Sequence, residues 1–290
     1  MGARPRIVDA HTHLFAPEIV RDRSGHLARD DWFGELYASP KIVLVTPEDL
    51  IASMDMAGID VSVVCGWPWK DMGLCREHND FLADVRHRYP ARIAWLAIVN
   101  PASPEAPKEI ERAVALGARG VGELNADAQG FSWERHGELS GTMDACVQAD
   151  LPMLMHCSEP VGHAYPGKGT ATPEKILNFL EANPELRVVA AHWGGGLPFY
   201  ELMPEVALLT ANVSYDSAAS TYLYGFDVFP VVERLIGERR AMFGTDFPLL
   251  NQRIFLDRVL RSGVPETSLP GILGETANRV FRLGHEEGAP

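Results

Sequence analysis

No apolar run in this chain approaches the roughly 20 residues that a membrane-spanning helix requires. Basic residues are in deficit: 26 Lys and Arg stand against 39 Asp and Glu, for a formal charge of -13. General affinity for nucleic acid or for an anionic membrane needs the opposite balance. None of the four cysteines, Cys65, Cys75, Cys146 and Cys157, forms a Cys-x-x-Cys pair, which argues against a structural zinc knuckle. Met1 to Arg6 contain no apolar segment of the kind that marks an export signal. These absences predict a cytoplasmic protein with reduced thiols, whose partner is a small-molecule substrate. Linkers, repeats and low-complexity tracts are also missing, so residues 1–290 read as one domain.

What is present is an alternation of short apolar runs with amphipathic segments. Candidate strands are 7–13, 61–67, 93–99, 119–124, 152–157, 187–192, 209–215 and 241–246. Their near-continuous hydrophobicity suits parallel strands covered on both faces. Thr46-Pro47-Glu48-Asp49 and Thr172-Pro173-Glu174 are helix starts, each followed by apolar residues at helical spacing. Further helices are expected near 78–88, 110–117, 139–147, 198–208, 226–236 and 254–260, with Pro230 complicating the start of the seventh. Eight such pairs predict an α/β fold, a (β/α)8 TIM barrel, with an extra C-terminal helix at 270–283. A doubly wound sheet is the alternative, but no Gly-x-Gly-x-x-Gly turn follows the first strand.

The polar residues that close these runs carry the chemistry. His11 and His13 are two apart on the first strand, so both imidazoles face one side. Glu123, His156, His192 and Asp246 end the fourth, fifth, sixth and eighth runs. In a barrel these ends form one ring at the C-terminal mouth. Any one of them alone has an ordinary explanation, a packed histidine or an Asx turn in Gly244-Thr245-Asp246-Phe247-Pro248. Their recurrence at strand ends favours a metal site. Imidazole and carboxylate together suit a borderline divalent ion such as Zn2+, with Mn2+ an alternative.

Val-Asp-Ala-His-Thr-His (8–13), Met-His-Cys (155–157), Ala-His-Trp-Gly-Gly (191–195) and Phe-Gly-Thr-Asp-Phe-Pro (243–248), in this order, resemble the amidohydrolase superfamily. The closest branch looks like the amidohydrolase-2 group, which includes aminocarboxymuconate-semialdehyde decarboxylase. The tail Gly274-Glu275-Thr276-Ala277-Asn278-Arg279-Val280-Phe281 resembles that group's closing helix. The resemblance implies one divalent metal held by His11, His13, His156 and Asp246. Asp246 would also handle a proton, and His192 would act in catalysis or hold a second metal. It further implies a homodimer. Glu123 departs from the decarboxylase pattern and resembles the fourth-strand glutamate of TatD-type hydrolases, a metal ligand there.

The expected reaction is therefore hydrolysis of an amide, lactone or ester of a small organic acid by metal-activated water. Decarboxylation of an aromatic or unsaturated acid on the same fold is the alternative, and a non-catalytic metal- or ligand-binding barrel is the remote one. A Glu123 that reaches the site would favour hydrolysis. Loops 14–45 and 158–171 are longer than ordinary connections and should carry specificity. Within them His163, Tyr165 and Lys168 are candidates to touch substrate, and Arg21, Arg23 and Arg29 are candidates to hold a carboxylate, with solvated charge the default. Trp67 and Trp69 read as packing before pocket lining. Gly194 to Gly196 read as a sharp turn, and His26, His78, His87, His136 and His285 as surface or helix residues.

Overall fold

The computed structural model describes residues 5–284, so His285 lies outside the described residues. Eight short strands alternate with eight main helices. The strands are β1 (Val8–Thr12), β2 (Val61–Val64), β3 (Ile93–Trp95), β4 (Val121–Leu124), β5 (Met153–Met155), β6 (Val188–Ala190), β7 (Val213–Asp216) and β8 (Ala241–Met242). All neighbours pair in parallel, in the arcs β1-β2-β3 and β4 to β8. Two isolated pairings, Ala97 with Val121 and Thr12 with Phe247, join the arcs into a closed ring. The fold is a TIM barrel.

After each strand comes a helix: α1 (Pro47–Ala57), α2 (Met72–Arg88), α3 (Ala106–Ala115), α4 (His136–Gln148), α5 (Pro173–Ala182), α6 (Pro204–Leu209), α7 (Val228–Ile236) and α8 (Gln252–Val259). The start signals work as their chemistry dictates. Thr46 and Asp49 form a reciprocal capping box on α1, and Gly58 ends it in the left-handed conformation at φ 73°. Pro230 falls in the first turn of α7, where its missing N–H costs nothing.

Several boundaries differ from the sequence pattern, among them the starts of α3 and β7 and the ends of β3 and β8, and three differences reshape a helix. α2 begins at Met72 rather than near 78, because the Asp71 side chain caps it by accepting from Leu74 N–H. The segment 198–208 splits into a 3-10 turn (Leu197–Leu202) and α6, because Pro204 holds Met203 extended at φ -87°, ψ 119°. The closing helix is a π turn (Gly271–Glu275) followed by α9 (Thr276–Val280). Ala277, Val280 and Phe281 pack with Val8, Val63, Leu96 and Met242 in the barrel interior, so this segment stoppers the end opposite the mouth. Among the described residues no helix is long and apolar enough to cross a membrane.

Asp9 fastens the seam between the first and last units. Its fully buried carboxylate accepts from Thr245 N–H (2.9 Å), Thr245 Oγ1 (2.6 Å) and Gln252 Nε2 (2.7 Å). Just beyond it, pairing of β1 with β2 becomes irregular between Asp9 and Thr12. Ala10 still packs in the barrel interior, yet His11 and His13 both reach the mouth. The irregularity changes which residues of β1 face inward.

Candidate metal centre

His11, His13, Glu123, His156, His192 and Asp246 converge at the C-terminal mouth. The Nε2 atoms of His11 and His13 lie 3.1 Å apart. Glu123 Oε2 is 3.5 Å from both, and Asp246 Oδ1 is 3.8 Å from the first and 3.4 Å from the second. His192 Nε2 completes the ring, 3.8 Å from Glu123 Oε1 and 3.7 Å from Asp246 Oδ2. Two overlapping sets, His11–His13–Asp246 and His11–Glu123–His192, each bring three donor atoms within 4.8 Å of one another. His156 belongs to neither set. Its Nδ1 meets Glu123 Oε1 at 2.9 Å, and its buried Nε2 has no partner.

The electrostatics of the ring are those of protons standing among crowded donors. Burial opposes charge on His11, but the Asp216 and Glu123 carboxylates override it and raise the imidazolium well above its ordinary range. Burial likewise opposes His192, yet Asp246 and Glu123 lift it to about 9. Burial would raise both carboxyls; instead His11 and His156 hold Glu123 well below the usual range, and His192, His11 and His13 hold Asp246 at about 2.

Asp216, at the end of β7, is a site residue the sequence reading missed. Its Oδ2 accepts from His11 Nδ1 at 2.9 Å, and its Oδ1 accepts from His192 N–H at 3.0 Å. The donation fixes the His11 tautomer and aims the Nε2 lone pair at the centre. The signal was present, since Asp216 closes the seventh apolar run as Asp246 closes the eighth, but the strand had been ended at residue 215.

Two of these side chains stand on strained backbone. His192 and Trp193 adopt φ 57° with ψ 43° and 30°, and Gly194 to Gly196 continue at positive φ. The expected sharp turn is thus a left-handed coil that includes two residues with side chains. Asp216 grips its first N–H, and the Trp193 indole donates to Ser220 Oγ at 2.8 Å. Asp246 also lies at positive φ, 59°. Such conformations cost about 1–3 kcal/mol each and persist where surrounding contacts enforce them.

Above the centre opens a cavity of about 560 Å3. Trp32, Leu36, Tyr37, Ile42 and Val43 from loop 14–45 line it, with Trp67, Leu223 and Leu249. Loop 14–45 is not bare coil: it holds short helices at Pro17–Arg21, Ser24–Leu27 and Asp31–Tyr37. His163 and Tyr165 line the cavity, whereas Lys168 does not. Trp67 lines it too, with its ring 6.2 Å from His13. Trp69 packs instead against Phe33 at 5.2 Å. Arg23 donates to the carbonyls of Tyr37, Ser39 and Ile42, and Arg29 pairs with Glu77, so neither enters the cavity. His78 is buried inside α2 among Phe15, Trp69 and Phe81 rather than on a surface.

A family model described as Amidohydrolase matches residues 8–283. The chain belongs to this family, in its amidohydrolase-2 branch. Gamma-resorcylate decarboxylase of Rhizobium radiobacter is 23% identical over 93% of this chain and 96% of its own length. The solved 5-carboxyvanillate decarboxylase of Sphingomonas paucimobilis superposes with a TM-score of 0.81 at 17% identity, over 97% of this chain and all of that one (100%). That of Novosphingobium aromaticivorans, complexed with manganese and 4-hydroxy-3-methoxy-5-nitrobenzoic acid, gives 0.76 at 20% identity, over 96% of each chain.

These relatives correct the expectation of hydrolysis. The relatives are carboxy-lyases, and they support the alternative reaction instead. Glu123 does reach the centre, yet this does not make the family branch hydrolytic. Its direction therefore fails to separate the two reactions, because a carboxylate among histidines can serve a metal in either. The relative with manganese also leaves the choice between Zn2+ and Mn2+ open to this donor set, since imidazole and carboxylate accept both.

Proposed function

We propose that this chain is a metal-dependent, non-oxidative decarboxylase of an aromatic carboxylic acid. One observation carries the reading: a ring of three imidazoles and two carboxylates lies at the floor of a cavity whose walls are aromatic and aliphatic. The family branch and its decarboxylase relatives point the same way.

The residues fit a divalent ion. Five side chains crowd their donors together, and the His11 and His13 Nε2 atoms lie close enough, 3.1 Å, for one ion to meet both. His11, His13, Glu123 and Asp246 would hold the ion, with His192 beside them and His156, through its bond to Glu123, within reach. When bound, the ion would supply a Lewis acid that orients the substrate carboxylate and withdraws charge.

The chain's own residues do the rest. The aromatic wall at Trp67 and Tyr37 receives the ring and excludes water. His192 holds a proton on Nε2, facing Asp246 Oδ2. As the bond from ring carbon to carboxyl carbon breaks, its electron pair stays on the ring carbon and a proton from the His192–Asp246 pair takes its place. CO2 leaves, and solvent returns the proton.

The test is a panel of aromatic acids, lactones and amides with the protein loaded with manganese or zinc. Release of CO2 from an acid supports the reading. Cleavage of a lactone or amide with no CO2 from any acid overturns it. A homodimer is part of the same reading, and sedimentation of the loaded protein checks it.

A further inference from the structure

The cavity has acids and histidines at its floor and, among the described residues, no lysine or arginine in its lining. Lys41, next to Ile42, is exposed and outside the lining, and two other cations of the wall loops are committed elsewhere. Arg23 Nη1 donates to three main-chain carbonyls behind loop 14–45, the shortest bond being 2.8 Å to Ile42. Lys168 Nζ donates to the carbonyls of Val161 (2.9 Å) and His163 (3.2 Å). Each guanidinium or ammonium braces a loop from outside the cavity. Loop 14–45 turns Trp32, Leu36, Tyr37, Ile42 and Val43 inward, and loop 158–171 turns His163, Tyr165 and Pro166 inward.

An anionic group far from the metal centre would therefore leave water for an apolar wall with no counter-charge, which is strongly unfavourable. A neutral group of the same shape would not suffer this. The polar groups on the wall above the floor are Asn125, whose Oδ1 is taken up capping Asp127 and Ala128 N–H, the phenols of Tyr165, Tyr222 and Tyr37, the last kept neutral by burial and by the nearby Asp246, and the exposed His163 imidazole at the rim. The volume of about 560 Å3 lies well inside the range of about 300–1,000 Å3 typical of pockets for ligands larger than one bare ring.

We propose that the acid taken by this site carries one carboxylate, the one that meets the metal centre, and that the rest of it is uncharged, apolar and larger than a single unsubstituted ring. The proposal rests on the decarboxylase reading for which end of the acid points down. It assigns Trp32, Leu36, Tyr37 and Trp67, the more buried part of the wall, as the residues that select against a second charge.

Two probes of equal shape separate charge from size: 2-hydroxy-5-nitrobenzoate and its 5-carboxylate counterpart. Calorimetric titration into manganese-loaded protein should show the nitro compound binding about a hundredfold more tightly. The 5-phenyl compound should bind at least as tightly as plain 2-hydroxybenzoate. Val43 is 62% exposed and lines the cavity, so Val43→Arg adds a cation without disturbing the core. That variant should improve the dicarboxylate about tenfold and move the nitro compound by less than about threefold. Equal binding of the two probes overturns the proposal. So does a gap that Val43→Arg leaves unchanged, or a 5-phenyl compound that is shut out. CO2 release from the same acids is followed separately: none from any of them, with the gap intact, refutes the decarboxylase reading while upholding the ligand class.

Discussion

Asp216 Oδ2 accepts the Nδ1 proton of His11 at 2.9 Å while its other oxygen takes the His192 main-chain N–H at 3.0 Å. One carboxylate thereby orients a ligand on β1 and pins the turn that carries a proton donor after β6. Asp216→Asn keeps the size but replaces one of the two accepting oxygens with an NH2 donor. Manganese affinity should fall by about 10–100-fold. An unchanged affinity in a metal titration would show that Asp216 merely packs.

Metal loading should release protons. Without metal, His11 stands well above its ordinary range, so at pH 7 its ring carries a second proton. An entering ion must displace protons from its ligands, so affinity should rise with pH from 6 to 9. A pH indicator in weakly buffered protein should report acidification as manganese is added. Absence of any proton release would mean the ligands are already bare.

His78 predicts an acid-sensitive stability. Burial among aromatic rings depresses it to about 3, with His13 and His26 adding to the effect. Its folded pKa lies below the unfolded one, so stability is full above about 6.5 and is lost as pH falls toward the folded value. At pH 5 the penalty is about 2 kcal/mol. His78→Leu has similar volume and removes a buried Nε2 that has no partner. The fall in Tm between pH 7 and pH 5 should shrink in that variant. An identical fall in both proteins would remove His78 as its source.

Gly122 should tolerate no side chain. It sits at φ 138°, and a Cβ there would run into the Leu154 carbonyl of the neighbouring strand. Gly122→Ala should destabilise the fold by about 1–3 kcal/mol and displace Glu123 from the ring. Thermal unfolding and a metal titration would both register the change. A variant with wild-type Tm would show that β4 and β5 separate easily.

The legibility of these features in the sequence was uneven. β1 was legible because a histidine pair two residues apart needs only strand periodicity to share a face. The helix starts at Thr46 and Thr172 were legible because capping is local. Asp216 was lost by one residue at a strand end, where pattern gives no sharp stop. The left-handed turn was half legible: three glycines announce it, but His192 and Trp193 join it only because Asp216 at the end of β7 and Ser220 in the short helix after it hold them. The loops of the cavity wall were legible from their length, but which of their side chains face inward mostly was not. Loop 14–45 becomes a wall when Arg23 gathers its carbonyls, and no spacing rule marks which arginine will do so. The reaction was misread for a different reason, since one donor ring serves two chemistries.

The bent backbone at Asp246 and His192 also sets the chain's stability and its usefulness against each other. Asparagine accepts positive φ more readily than most residues, so Asp246→Asn should fold with an equal or higher Tm while losing at least about a hundredfold in turnover. Heat tolerance and activity would then have their optima in different sequences. A lineage selected only for robustness would then drift toward an inert barrel, with the exchange beginning at Asp246.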